Sequence, residues 1–255
     1  VLQRNLYKKF KHLTLLNNLM STFLPLSLGI ARQTGNSSLS KKAPKVSSGL
    51  VMSAELKKQV FERDNNTCQC CGFKAEKYQE IQYLDNNPKN VDLDNLATVC
   101  IFCHQCFNLE QATSMRSGVL VWLPEISQTD LHHVMRAVYV ARISQGPMAE
   151  AARVALDTLM GRREEVRRRL QTDDPFVLST VLRDFLTGRY YAERTEKLSG
   201  VRLLPLDRRL IKEADLEFNQ FPQILAYWRS KDGPFGERAP TLWTGLYKKT
   251  LKELA

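Results

Sequence analysis

The chain has 255 residues, 43% of them hydrophobic, enough to bury a core as one domain or two small ones. Of its formal net charge of +10, residues 1–49 carry +8 (Arg4, Lys8, Lys9, Lys11, Arg32, Lys41, Lys42 and Lys45, with no acid), leaving +2 for the rest. Composition therefore does not imply a broad basic face for nucleic acid, and six cysteines within residues 68–106 of so long a chain do not describe a secreted disulfide scaffold.

Residues 1–49 read as a basic, acid-free N-terminal extension, expected to be flexible. Its apolar run at 13–31, LTLLNNLMSTFLPLSLGIA, is interrupted by Asn17, Asn18 and Pro25, which makes it a poor signal peptide and too polar for a membrane helix. A polar Gly/Ser/Lys linker follows at 35–49. Residues 50–125 form a small module that holds all six cysteines. Ser53 can cap a short helix, AELKKQVFERD, with Leu56, Val60 and Phe61 on one face. The loop-rich segment from Cys68 to Cys106 has few apolar runs, so burial alone would not shape it. GVLVWLP, residues 118–124, reads as a strand ended by proline.

From Ser127 onward the pattern is helical, which predicts a helical domain over 126–255. Ser127 or Thr129 can cap a helix through LHHVMRAVYVARI. A second helix is expected from about Pro147 to Leu170, and Pro175 suits the first turn of a third, preceded by Asp173 and Asp174. Further helices are expected near 189–198, 207–230 and 241–254. The fold class is thus α+β, mostly α.

The cysteines carry the strongest chemical signal. Cys68-Gln-Cys-Cys71 and Cys100-Ile-Phe-Cys103 are two C-x-x-C turns separated by 28 residues, and such turns aim pairs of thiolates at one point. Four thiolates satisfy a tetrahedral zinc ion and leave no open position. Gly72 follows the first pair, where a knuckle often needs positive φ. Cys68, Cys71, Cys100 and Cys103 are the expected ligands of one structural Zn²⁺ per chain. Cys103-His-Gln-Cys106 is also a C-x-x-C, so Cys106 stays an alternative ligand, and Cys70 lies inside the first pair.

The runs FERDNNTCQCCG and LDNLATVCIFCH resemble the frame of the zinc-bearing HNH nucleases. In that family a helix leads into the first knuckle, a histidine general base follows on a strand, and an Asn-Leu pair precedes the second knuckle. Here Asp94-Asn95-Leu96, the second knuckle and His104 are present, but the strand at 80–85 reads EIQYLD, without histidine. The chain's histidines are His12, His104, His132 and His133. Phosphodiester hydrolysis needs a base for water, and a tyrosine titrating near ~10 cannot supply it. No catalytic residue is assigned. Two other functions are kept: an HNH endonuclease drawing its base from His104 or a helical histidine, and a nucleic-acid binder using the basic extension.

CQCCGFKAEKYQEI, LDNLATVCIFCHQCF, VLVWLPEIS and the later VRLLPLDRR, in that order between Ser53 and Arg209, resemble the IcmJ/DotN family, the HNH-like component of the coupling complex in Dot/Icm (type IVB) secretion. The resemblance implies a non-enzymatic, zinc-stabilised adaptor that docks on the flexible tail of the coupling ATPase, meets other coupling-complex subunits and aids effector recruitment. It implies a cytoplasmic bacterial protein that reaches the inner-membrane face through its partners, without direct membrane insertion and without nucleic acid. A strand edge near Val119–Leu123 and grooves between the later helices are the expected receptors for such a tail.

Overall fold

The computed structural model describes residues 23–31, 52–186 and 188–254. The described residues divide into two compact units: one takes 23–25, Ala31 and 52–104, the other Leu26–Ile30 and the described residues from Gln105.

In the first unit, α1 (Ala54–Arg63) starts where the Ser53 hydroxyl accepts the Leu56 N–H at 3.1 Å, as the capping signal predicts. It ends in two consecutive left-handed residues, Asn65 and Asn66 (φ 52° and 50°), a conformation that asparagine tolerates better than most side chains. Strands β1 (Gln79–Tyr83) and β2 (Leu96–Cys100) pair antiparallel, from Gln79 opposite Cys100 to Tyr83 opposite Leu96. Helix α2 (Ile101–Phe107) follows β2 without a loop and runs on into the second unit.

The second unit has β3 (Gly118–Trp122) and β4 (Val201–Pro205), antiparallel partners, at its centre. Around them lie α3 (Leu109–Ser114), α4 (Gln128–Arg142), α5 (Pro147–Gly161), α6 (Arg163–Leu170), α7 (Pro175–Asp184), the short α8 (Gly188–Ala192) and α9 (Arg194–Lys197), then α10 (Phe221–Arg229) and α11 (Trp243–Leu254). Ser127 caps α4 by accepting the Asp130 N–H, and Asp174 caps α7 ahead of its first-turn Pro175. Leu109, Leu120, Val166, Leu182 and Leu203 form a closed core. The result is a mostly helical α+β protein whose described sheets are all two-stranded and antiparallel, the class the sequence predicts.

Four local differences from expectation have physical reasons. The helix expected over 147–170 breaks at Arg162, because Gly161 is a weak helix former and the Arg162 carbonyl accepts the Trp122 N–H at 3.2 Å. Residues 201–205 form a strand inside the stretch read as helical. Residues 207–230 are helical only from Phe221. Before it, β5 (Leu210–Glu213) and β6 (Leu216–Asn219) make a hairpin whose turn holds Ala214 at φ 52°. Lys212, Glu213 and Glu217 are good helix formers and hide the alternation that sets Ile211 opposite Phe218. Lastly, the extension expected to be flexible contains a built segment: Leu28 and Ile30 are buried in the second unit's core, and Gly29 exchanges backbone hydrogen bonds with Cys106 and Leu109. Residues 1–22 and 32–49 lie outside the described residues.

The β3–β4 sheet has no open edge at its centre. On the β3 side, the Leu120 and Trp122 N–H groups donate to the Asp173 and Arg162 carbonyls at 2.9 and 3.2 Å. On the β4 side, Gln128 imitates a strand: its Oε1 accepts the Leu203 N–H at 2.9 Å and its Nε2 donates to the Leu203 carbonyl at 2.8 Å. The strand edge near Val119–Leu123 is therefore not available to an incoming peptide, contrary to the expectation above. Replacing Gln128 with alanine leaves two buried backbone groups on β4 unpaired, which should cost about 2–4 kcal/mol in urea unfolding. A loss below about 0.5 kcal/mol would show that this amide does not hold the sheet.

Candidate metal centre

The first C-x-x-C is shaped by its own backbone. The Gly72 N–H donates to the Cys68 carbonyl at 2.8 Å and the Cys68 N–H to the Phe73 carbonyl at 2.9 Å, closing a tight knuckle. Gly72 sits at φ 72°, a left-handed conformation that favours glycine. The second C-x-x-C joins the end of β2 to the start of α2, and the Cys103 N–H points at the Cys100 Sγ at 3.4 Å.

Arg63 and Asp64 set the two knuckles against each other. They pair side by side at 2.8 and 2.9 Å. The guanidinium also donates to the Leu93 and Leu96 carbonyls at 2.6 and 2.7 Å, while Asp64 accepts the Thr98 N–H at 2.8 Å. The Gln69 N–H reaches the Thr98 carbonyl at 2.8 Å. The chain entering the first knuckle is thus tied to the strand leading into the second. Arg63 and Asp64 both lie inside FERDNNTCQCCG, where an adjacent Arg-Asp pair at a helix end is the one sequence signal of this clamp.

The Sγ atoms of Cys68, Cys71, Cys100 and Cys103 lie within 4.8 Å of one another, all buried, and those of Cys71 and Cys100 are 3.8 Å apart. Six free cysteines and no disulfide are present, since a sulfur–sulfur bond is about 2.05 Å long. Four sulfurs each about 2.3 Å from a central ion form a tetrahedron with edges of roughly 3.8 Å, so the spacing suits a metal ion. The electrostatics agree. Hydrogen bonds from Cys100 and Cys103 hold Cys68 far below the usual thiol range, whereas burial pushes Cys103 far above it. Burial opposes ionising all four thiols together, and a cation would supply the balancing charge.

Neither of the two remaining cysteines belongs to this group. Cys70 is buried beside it. Cys106 is fully buried in the second unit, its Sγ 3.7 Å from His132 Nε2, which also takes a hydrogen bond from Gln128 at 2.9 Å. His104, next to Cys103, is half-buried on α2, and His133 is exposed on α4.

The protein is thus a mostly helical α+β molecule with a closed four-cysteine centre able to hold a metal ion. No protein-family model matches the chain. It is 32% identical over 162 residues to the type 4 apparatus protein DotN of Legionella pneumophila subsp. pneumophila, across 62% of this chain and 75% of the relative. The chain belongs to the DotN family.

The cluster predicts a sharp contrast in metal content by elemental analysis. Cys106→Ala should keep the parent's metal and lose only about 1–2 kcal/mol of stability, while Cys68→Ser should lose both metal and cooperative unfolding. Metal loss on replacing Cys106 would mean that the other C-x-x-C register is the real one.

Proposed function

We propose that this chain is a non-enzymatic, zinc-stabilised adaptor of a type IV secretion coupling complex, which docks on the coupling ATPase and aids effector recruitment in the bacterial cytoplasm. The observation that carries the proposal is its family membership through a relative named as a type 4 apparatus protein, together with a closed four-sulfur centre. Zinc is the ion of choice because an all-thiolate tetrahedral donor set fits it and leaves no position for a reacting water. No helix among the described residues is long and apolar enough to cross a membrane.

The same residues support a nuclease-like frame without the chemistry. A hairpin followed by a helix carries the second knuckle. Asn95 braces the connecting loop as the HNH asparagine would: its Nδ2 donates to the Asn90 carbonyl at 2.8 Å and to Asp85 at 2.9 Å, and its Oδ1 accepts the Asp85 N–H at 3.0 Å. Where a general base would stand, β1 offers Gln82 and Tyr83. Burial raises the Tyr83 hydroxyl above its ordinary value, further from use as a base at neutral pH. Asp85 is occupied by Asn87, Asn90 and Asn95. Among the helical histidines, His132 is sealed in the second unit's core.

With the β3–β4 edges closed, an amphipathic helix of the partner's tail is the better ligand than an added strand. Phe176, Val177 and Val181 on α7, with Phe185 after it, form an exposed apolar face suited to receive one. Affinity purification of the tagged chain from its native host, with mass spectrometry of what is retained, tests the proposal. It should recover a coupling ATPase, and replacing both Phe176 and Val181 with Asp should weaken that recovery at least about tenfold. Recovery of nucleic acid alone, or metal-dependent DNA nicking that follows the purified protein, would contradict it.

A further inference from the structure

Helix α11 (Trp243–Leu254) is bound to the second unit through its first residue. Trp243 packs beside Val138, Ala141 and Ala152, and its indole N–H donates to the Arg238 carbonyl at 2.6 Å. Beyond that anchor the helix shows solvent an apolar stripe at helical spacing: Leu246, Tyr247 and Leu251 are 45%, 65% and 48% exposed. The other face carries Lys248, Lys249 and Lys252, all exposed, and one acid, Glu253, which pairs with Lys249 at 3.8 Å. One face is apolar and the other is basic.

We propose that α11 adsorbs to an anionic membrane surface, lying in the plane of the headgroups. The stripe would enter the acyl boundary and the lysines would face the lipid phosphates. Three features favour lipid over a groove on another protein. Three lysines to one acid complement a negatively charged surface. Tyr247, 65% exposed, has an apolar body with a polar tip, which settles at the headgroup level. The exposed side chains are large but few, which gives weak, reversible adsorption of the kind that needs a second signal. The positive charge of residues 1–49 is available as that signal. Contact of this sort requires no helix that crosses the bilayer, and none of the described helices is able to cross one.

The full chain, mixed with sucrose-loaded vesicles of phosphatidylcholine alone or of phosphatidylcholine with phosphatidylglycerol, should pellet only with the anionic ones, and less so as salt rises. Leu251→Asp and Tyr247→Asp should each weaken partitioning about tenfold, with circular dichroism and thermal midpoint unchanged because both side chains are exposed. Lys248→Gln combined with Lys252→Gln should weaken it about as much. Because residues 1–49 are intact in every variant, their own attraction is held constant. Equal pelleting with neutral vesicles, or undiminished pelleting of Leu251→Asp, would overturn the proposal. So would the absence of any vesicle binding, which would leave the stripe to a protein groove.

Discussion

Four thiols crowded into a buried pocket set the constraint on which the first unit depends. Their spacing is too wide for disulfides and too close for independent thiolates, a conflict that a bound cation would resolve. Among its described residues the unit has little else with which to hold itself together: one ten-residue helix, a hairpin of two five-residue strands and long loops. Its apolar interior centres on Val60, Leu96 and Val99. In so small a body, metal binding free energy becomes folding free energy. The Arg63–Asp64 clamp then has a clear purpose, because it fixes the chain before the first knuckle to the strand before the second and holds the donor set near its final shape.

The second unit solves the opposite problem. It has an ample core, and its difficulty is a two-stranded sheet whose edges invite pairing with other chains. Backbone carbonyls close one edge and the Gln128 amide closes the other. Gln128 also bonds His132, whose ring meets Cys106, so one polar chain runs from strand to helix inside an apolar core. A network of this kind is costly if broken and rigid if complete. Exposed apolar side chains stand on helical faces of α7 and α11, where the proposed adaptor would accept a helix or lie against a surface.

Much of this was legible beforehand, for identifiable reasons. The paired C-x-x-C turns name their partners because spacing and chemistry act together, and helix starts at Ser53, Ser127 and Pro175 carry local capping signals that no tertiary contact overrides. The β5–β6 hairpin was hidden because Lys and Glu on short exposed strands mimic helix composition. The strand at 201–205 is too short to show a period. The choice between Cys100 and Cys106 could not be made from spacing, since each forms a C-x-x-C turn with Cys103; it depends on which sulfur the fold turns toward His132. The burial of Leu28 and Ile30 was likewise invisible, because an apolar run interrupted by proline and asparagine does not say what it packs against. That segment also means that removing residues 1–49 would strip side chains from the core rather than trim a tail.

The proposed adaptor needs an ion that supplies rigidity rather than chemistry, and a closed, all-sulfur zinc site at this centre would supply it. X-ray absorption at the zinc edge of the full chain as purified tests it most directly. The account predicts a single shell of four sulfurs at about 2.3 Å with no lighter scatterers. A shell containing nitrogen or oxygen, or fewer than four sulfurs, would mean an open site and would contradict it.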